Sequence, residues 1–245
     1  MPIHRRRASP RETPPVSNLD PQPSDVSAHA AFPGRVELPL TTVTWGPGVP
    51  GDDELRLVGN PSGKRILQLG VGLGHNAVAL ALAGAHVICV DADLDRLDAA
   101  RQLAEVNEVK VELHHGDPAD LAFVRADTID TAIAVYALGR VDDLDRVLRQ
   151  VNRVLRTSGS LVASFPHPIS LAVERESTTG PRVVRRYGDR EPLHLGDLTI
   201  TPRSIGDIVT SFHRANFRVD SLLEPMGDTA LLPGTLIVRG RKDGT

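Results

Sequence analysis

Apolar runs with the length of a strand alternate along this chain with stretches in which apolar residues recur at helical spacing. The clearest example is residues 64–91, KRILQLGVGLGHNAVALALAGAHVICVD. Residues 65–69 and 86–90 are apolar runs that predict strands, and residues 76–83 have the small and aliphatic composition of a buried helix. Gly84 is placed to end that helix. The pattern predicts a strand, a turn, a helix and a second strand in succession.

The later chain continues this alternation and then departs from it. Helices are predicted by the apolar faces of segments 52–59, 94–107, 142–156 and 202–215, and strands by runs at 109–114, 128–136, 160–165, 217–223 and 235–238. Strand and helix alternate up to residue 165, which predicts a mostly parallel sheet covered by helices. No segment of helix length separates the last two strands, so we expect them to be antiparallel.

The turn after the first strand carries the strongest chemical signal. It places Gly70, Gly72 and Gly74 on alternate positions. Glycine permits positive φ and lets a ligand approach backbone amides that a Cβ would block. The helix that begins near His75 directs unpaired N–H groups at the turn. Asp91, at the end of the next strand, stands where a carboxylate accepts the hydroxyls of a ribose. A ribose-bearing ligand is therefore predicted.

The glycine spacing distinguishes between two classes of such ligands. A turn that binds the pyrophosphate of a dinucleotide requires Gly or Ala at the position of His75. The G-x-G-x-G spacing found here instead resembles that of class I S-adenosylmethionine (SAM) dependent methyltransferases. A nicotinamide-dependent oxidoreductase is the disfavoured alternative.

The resemblance to class I methyltransferases covers about residues 42–241, and it is greatest to bacterial enzymes of the ubiquinone and menaquinone biosynthesis type. It is carried by the segments WGPGVPGDDELRLVG, LQLGVGLGHNAVALALAGAHVICVD, HHGDPADL, VYALGRVDDLDRVLRQVNRVLR and SFPHP. It implies an α/β fold of three layers, with a Rossmann-like, doubly wound sheet of seven strands that is mostly parallel and has an antiparallel last strand. It also implies SAM as cofactor and a small molecule as methyl acceptor.

The resemblance also implies a set of cofactor contacts. Asp91 would hold the ribose, Asp117 would accept a hydrogen bond from the adenine amino group, and Val135 and Tyr136 would border the methionyl part and the substrate. The full set of candidate cofactor-binding residues is Gln68, Gly70, Gly72, Gly74, Asn76, Asp91, Ala92, Asp117, Pro118, Val135 and Trp45. Two of these positions have a structural alternative: Asp117 as a cap of the next turn, and Trp45 as a plug of the sheet edge instead of a lid over the cofactor. The alternative for Tyr136 is ordinary packing.

Gln68 departs from the family, which usually has an acid at this position to pair with the ammonium group of SAM. An amide still accepts a hydrogen bond but lacks the charge, and charge-assisted bonds are about twice as strong as neutral ones. The sequence therefore predicts weaker SAM binding than usual, and tighter binding in the Gln68→Glu variant.

Methyl transfer needs alignment of the reactants more than a catalytic side chain, because the cofactor carries the reactivity. The best candidate for a general base is His167, between two prolines at the end of the fifth strand, with Tyr136 as a weaker one. A structural turn histidine is the alternative for His167. The sequence has no spacing typical of metal ligands.

Residues 170–200 have no clear period and leave the sheet at the edge where open α/β sheets bind ligands. We expect this insertion to cover the substrate. It contains Arg182, Arg185, Arg186 and Arg190, which indicate either an anionic acceptor or a solvated charged surface.

Composition narrows the class of protein further. Residues 1–33 are rich in Pro, Ser and charge and are expected to be a disordered tail, with the methyltransferase domain at 34–245. A net charge of −3 and 3% aromatic residues argue against nucleic acid as a partner. No run is long enough to span a bilayer and one cysteine excludes a disulfide framework, so a cytoplasmic location is expected. The oligomeric state is not predicted.

The sequence thus predicts an enzyme that moves a methyl group from SAM to a small-molecule acceptor by in-line displacement. A protein of the same fold that binds SAM or S-adenosylhomocysteine without catalysis remains open as an alternative.

Overall fold

The computed structural model describes residues 38–174, 180–195, 198–226 and 230–244. The expected N-terminal tail at 1–33 lies outside the described residues. The helices are α1 (Asp52–Leu55), α2 (His75–Leu82), α3 (Leu94–Val106), α4 (Leu144–Val154) and α5 (Ile205–Arg214), with a 3-10 turn at Ala137–Arg140. The main strands are β1 (Arg65–Leu69), β2 (His86–Asp91), β3 (Val111–His115), β4 (Ile129–Val135), β5 (Leu155–Pro166), β10 (Phe217–Leu223) and β11 (Thr235–Lys242). Between β5 and α5 lie the short strands β6 (Val173–Glu174), β7 (Arg182–Val183), β8 (Leu193–Leu195) and β9 (Leu198–Ile200).

The main strands form one sheet in the order β10-β11-β5-β4-β1-β2-β3. Strands β1 to β5 pair in parallel, whereas β11 is antiparallel to both β5 and β10. Strands β2 and β3 follow β1 on one side, and the chain then returns to place β4 on the other side of β1. The order in which strands are added therefore reverses next to β1, and open α/β sheets bind ligands at such a point. The predicted seven-stranded sheet with an antiparallel last strand is confirmed.

Helices cover both faces of the sheet. Successive residues of a strand point to opposite faces, so Ile66 belongs to one hydrophobic cluster and Leu67 to the other. Helices α2 and α3 pack on the Ile66 face through residues such as Leu80, and helices α4 and α5 pack on the Leu67 face through residues such as Leu148. Three layers result. No helix among the described residues has both the length and the apolar character to cross a bilayer.

Element ends differ from the predictions where side chains bind the backbone. Helix α1 is shorter than the predicted 52–59, because Arg56 adopts a left-handed conformation with φ of 52° and the Asp52 carboxylate accepts the N–H groups of Leu57 and Val58. Helix α5 begins later than predicted because Ser204 and Asp207 form a capping box.

Strand β5 is longer than the predicted 160–165. It starts at Leu155 with no loop after α4, and its pairing with β4 skips from Leu155 to Ser160. Residues 156–159 therefore form a bulge within the strand.

The insertion contains two small hairpins, β6 with β7 and β8 with β9. Strand β9 leads back to the 3-10 turn after β4, where the Thr201 N–H donates to the Gly139 carbonyl at 2.9 Å. The described part of the insertion therefore lies at the carboxyl edge of the parallel strands.

Candidate cofactor-binding site

The glycine turn is packed between two neighbouring elements. Gly70 and Gly74 have φ of 74° and 85°, in the left-handed region. A Cβ on Gly70 would lie 2.5 Å from the Ala137 Cβ, and a Cβ on Gly74 would lie 2.7 Å from the Ala100 Cα of α3. Both positions therefore need glycine, for conformation and for space. The turn in this way brings the start of α2 against the end of β1.

Asp91 lies next to this turn, as predicted. Its side chain is nearly buried, and its carboxylate accepts the Val71 N–H at 2.8 Å and the Asp93 N–H at 3.0 Å. One carboxylate thus connects the glycine turn to the end of β2. Two backbone donors occupy part of its accepting capacity, which leaves lone pairs for a ligand in the cavity that Asp91 lines.

A cavity of about 560 Å³ opens beside Asp91, within the size range of small-molecule sites. It brings together several residues that the sequence placed around the adenosine of SAM, and it adds others from the 3-10 turn, α4 and β9. Its lining comprises Gly70, Asp91, Ala92, Asp117, Pro118, Ala119, Ala137, Arg140, Val141, Asp142, Asp143, Arg146, Val147 and Thr199. We call it the adenosine cavity.

Asp117 combines both alternatives that the sequence left open. Its Oδ1 accepts the Ala119 N–H at 2.8 Å, which is the structural cap. The residue is nevertheless exposed and lines the adenosine cavity, so its carboxylate remains accessible to a ligand. Ala92 is held on the same side by a 3.1 Å hydrogen bond between its carbonyl and the His115 imidazole.

A second, smaller pocket of about 30 Å³ lies on the other side of Gly70. Its lining comprises Leu38, Thr44, Gln68, Gly70, Val71, Gly72, Leu73, His75, Asn76 and Val135. We call it the turn pocket. Gly70 lines both cavities, so both lie against the glycine turn.

Gln68 is 2% exposed and has a defined orientation. Its Nε2 donates to the carbonyls of Gly70 at 3.1 Å and Val71 at 3.3 Å, while its Oε1 is buried without a hydrogen-bond partner among the described residues. An ionised carboxylate cannot donate to these carbonyls. The amide at this position therefore stabilises the glycine turn and leaves one buried acceptor without a partner among the described residues.

This arrangement changes the expectation for the Gln68→Glu variant. A carboxylate oxygen in the place of Nε2 would face two carbonyl oxygens in a buried site, so we expect the free energy of unfolding without ligand to fall by about 1–3 kcal/mol. Urea denaturation followed by fluorescence of Trp45, the sole tryptophan, measures this change. Equal stability of variant and native protein would show that the two amide bonds do not support the turn.

Asn76 and Thr44 hold the segment before β1 over the turn. The Asn76 Oδ1 accepts the Thr44 N–H at 2.9 Å and the Thr44 hydroxyl at 3.1 Å, and its Nδ2 donates to the Thr44 carbonyl at 3.0 Å. Trp45 is fully buried in the cluster with Ile66 and lines neither cavity. Trp45 is thus a core residue packed on the central strands, and Leu38 and Thr44 line the pocket instead.

His167 and Tyr136 are buried and line neither cavity. The Nδ1 of His167 accepts the Ile169 N–H at 3.1 Å, so Nε2 carries the proton and donates to Glu224 at 2.7 Å. The Tyr136 hydroxyl lies 2.5 Å from the Thr235 Oγ1. Both side chains make structural contacts here, and a catalytic role for either stays a prediction that this geometry does not favour.

Most arginines of the insertion are paired with acids. Arg182 binds Glu174, Arg185 binds Asp189, and Arg190 binds Asp207. These pairs favour a solvated surface over a site for an anionic acceptor. A different arginine, Arg140, lines the adenosine cavity; burial, and next the charge of Arg96, lower the pKa of its guanidinium. No group of three or more potential metal ligands occurs in the described ranges.

Sequence reasoning missed several of the lining residues. Four of them, Thr44, His75, Arg140 and Thr199, come from elements whose approach to the turn depends on tertiary contacts. His75 alone had a signal, because it follows the last glycine of the turn at the start of α2.

Comparison with known proteins supports these observations. Residues 67–163 match the methyltransferase domain family. The chain is 33% identical over 118 residues to demethylmenaquinone methyltransferase of Clavibacter sepedonicus, covering 46% of this chain and 47% of that protein. It is 29% identical over 103 residues to ubiquinone biosynthesis O-methyltransferase of Aromatoleum aromaticum, covering 42% and 44%. The chain thus spans about half the length of the curated relatives it matches.

Solved structures share the fold. The S-adenosylmethionine dependent methyltransferase from Mesorhizobium loti superposes with a TM-score of 0.67 at 23% identity, over 77% of this chain and 96% of that one. A putative S-adenosylmethionine dependent methyltransferase from Listeria monocytogenes superposes with a TM-score of 0.65 at 21% identity, over 79% of this chain and 98% of that one. These likenesses show that the chain has the fold of the solved S-adenosylmethionine-dependent methyltransferases, and that residues 67–163 match the methyltransferase domain family.

Proposed function

We propose that this protein transfers a methyl group from SAM to a small-molecule acceptor. The observation that carries the proposal is the position of Asp91, which holds the glycine turn and lines the adenosine cavity at the point where the order of strands reverses. The match of residues 67–163 to methyltransferase domains supports the same activity.

The residues present fit the cofactor. Asp91 would hold the ribose, Asp117 with Pro118 would contact the adenine, and Gln68 would accept from the amino-acid end in the turn pocket. Asp91 offers the ribose a carboxylate that lines the cavity, Asp117 offers the adenine an exposed carboxylate, and Gln68 offers a buried acceptor with no partner among the described residues. SAM is therefore the ligand that these two cavities favour.

The cofactor, when bound, supplies an electrophilic methyl group on a sulfonium. The protein binds and orients the reactants and excludes water from between them. The insertion is suited to the last task, because Thr199 lines the adenosine cavity and the Thr201 N–H is bound to the 3-10 turn. A general base is required only for an acceptor that holds its proton at neutral pH.

A thermal shift experiment tests the proposal. SAM and S-adenosylhomocysteine, each at about 100 times its dissociation constant, are expected to stabilise the protein by about 2.7 kcal/mol, whereas NAD and NADP are expected to leave it unchanged. Labelled methyl transfer to a panel of small molecules, quinols included, then separates catalysis from binding. Stabilisation by a dinucleotide alone would contradict the proposal.

A further inference from the structure

We propose that Gln68 and His75 form a receptor of two uncharged acceptors for the ammonium group at the amino-acid end of the cofactor, and that protonation of His75 weakens cofactor binding. The inference rests on the proposed function. It assigns to His75 a part in recognising the ammonium group of the cofactor, which the glycine turn alone does not provide.

Two residues that line the turn pocket each carry a buried polar atom without a partner among the described residues, the Oε1 of Gln68 and the Nδ1 of His75. Gln68 approaches from β1, and His75 is the first residue of α2. Unpaired buried polar atoms are rare in folded proteins and often mark a ligand site. Two such atoms on residues that line one pocket indicate a ligand that donates hydrogen bonds to both.

The orientation of Gln68 decides which hydrogen-bonding group faces the ligand. Its Nε2 is bound to the carbonyls of Gly70 and Val71, so a rotated amide would place Oε1 against those two oxygens. The unpaired end of the Gln68 amide is therefore fixed as the acceptor Oε1. A ligand ammonium group, which has three donors and no acceptor, complements it.

His75 is suited to be the second acceptor. Burial lowers the pKa of its imidazole from the ordinary 6.5, and no neighbouring charge contributes to that shift. The ring is thus neutral near pH 7, and when Nε2 carries the proton the buried Nδ1 presents a lone pair. Imidazole and amide together replace the acid that the family usually has at position 68.

Within the described ranges, no carboxylate lines the turn pocket. The segment before β1 contributes Leu38 and Thr44, the end of β4 contributes Val135, and α3 meets the turn through Ala100. The charged group that faces the turn is the Asp91 carboxylate of β2, which binds the Val71 N–H. His75 is therefore the titratable group whose charge acts directly on a ligand in this pocket.

The sign of the pH dependence follows from this geometry. A protonated His75 loses the Nδ1 acceptor and repels an ammonium group, so the bound ligand lowers the pKa of His75 further. The affinity for the ligand is greatest when the pH is above the pKa of His75 in the free protein, and it falls as the pH decreases through that pKa. Because that pKa lies below 6.5, the loss occurs in the acidic range.

The test compares two ligands by calorimetry, S-adenosylhomocysteine and 5′-methylthioadenosine, which lacks the amino-acid end. Between about pH 8 and about pH 5 we expect the preference for S-adenosylhomocysteine to fall about tenfold in the native protein. The His75→Gln variant, which keeps a neutral acceptor, is expected to show a constant preference. His86→Gln, at an exposed histidine at the start of β2, is the matched control and should behave as the native protein.

A constant preference in the native protein, or the same fall in His75→Gln, would overturn the inference while the proposed function stands. Failure of both ligands to bind at either pH would overturn the proposed function as well. If His75→Gln does not fold, His75→Phe replaces it. In that variant the affinity for S-adenosylhomocysteine at about pH 8 should fall about tenfold and that for methylthioadenosine should not change.

Discussion

The Asp91→Asn variant is expected to bind S-adenosylhomocysteine about 100-fold more weakly than the native protein. The carboxylate of Asp91 accepts two backbone N–H groups and lines the cavity in which a ribose would lie. The amide of Asn retains only one accepting oxygen. Its N–H₂ group, a donor, would face the Val71 N–H, the Asp93 N–H or the ligand in place of the second accepting oxygen. Hydrogen bonds to a charged group contribute about 1.5–3 kcal/mol each, and losing two accounts for about 100-fold or more.

The same substitution should also destabilise the protein without ligand. Its nearly buried side chain would then leave a backbone donor unsatisfied, which lowers the free energy of unfolding by about 1–3 kcal/mol. Asp95→Asn, at an exposed aspartate in the first turn of α3, is the control and should change neither quantity appreciably. Calorimetric titration and urea denaturation measure the two effects. Unchanged affinity in Asp91→Asn would exclude this carboxylate from the site.

The Gly74→Ala variant is expected to lower the free energy of unfolding by about 3 kcal/mol. Its φ of 85° imposes a strain of about 1–2 kcal/mol on a residue with a Cβ. The new methyl group would also lie 2.7 Å from the Ala100 Cα, and overpacking of this kind costs about 1–3 kcal/mol. Relief of the overlap requires α3 to move away from the turn, so ligand affinity should fall too.

Gly63→Ala separates strain from overlap. Gly63 has φ of 71°, and a Cβ there would meet nothing within 4 Å. This control should lose only the conformational part, about 1 kcal/mol, with no change in ligand affinity. Urea denaturation followed by Trp45 fluorescence measures both variants. Equal losses in Gly63→Ala and Gly74→Ala would show that the contact with Ala100 does not constrain the turn.

The fold was predictable because its determinants are local and periodic. The apolar run at residues 65–69 and the alternation at 217–223 match strands β1 and β10 residue for residue. The bulge at residues 156–159 was not predictable, because it depends on how β5 pairs with β4. Helix α1 likewise ends early through the contacts of one carboxylate, that of Asp52.

The candidate site was predictable where one sequence motif builds it. Gly70 and Asp91 belong to a single strand–turn–helix–strand unit, and their proximity follows from its geometry. Thr44 and Thr199 reach the cavities from distant segments with no motif of their own. His167 was favoured by its place at the end of β5, but its ring is turned to Ile169 and Glu224 by contacts that the sequence does not reveal.

A crystal structure of the protein with S-adenosylhomocysteine would test the central claim most directly. The account predicts ribose hydroxyls within hydrogen-bond distance of the Asp91 carboxylate, adenine beside Asp117 and the amino group against Gln68 Oε1. Adenosine bound away from residues 70–74, or a ribose without contact to Asp91, would contradict it.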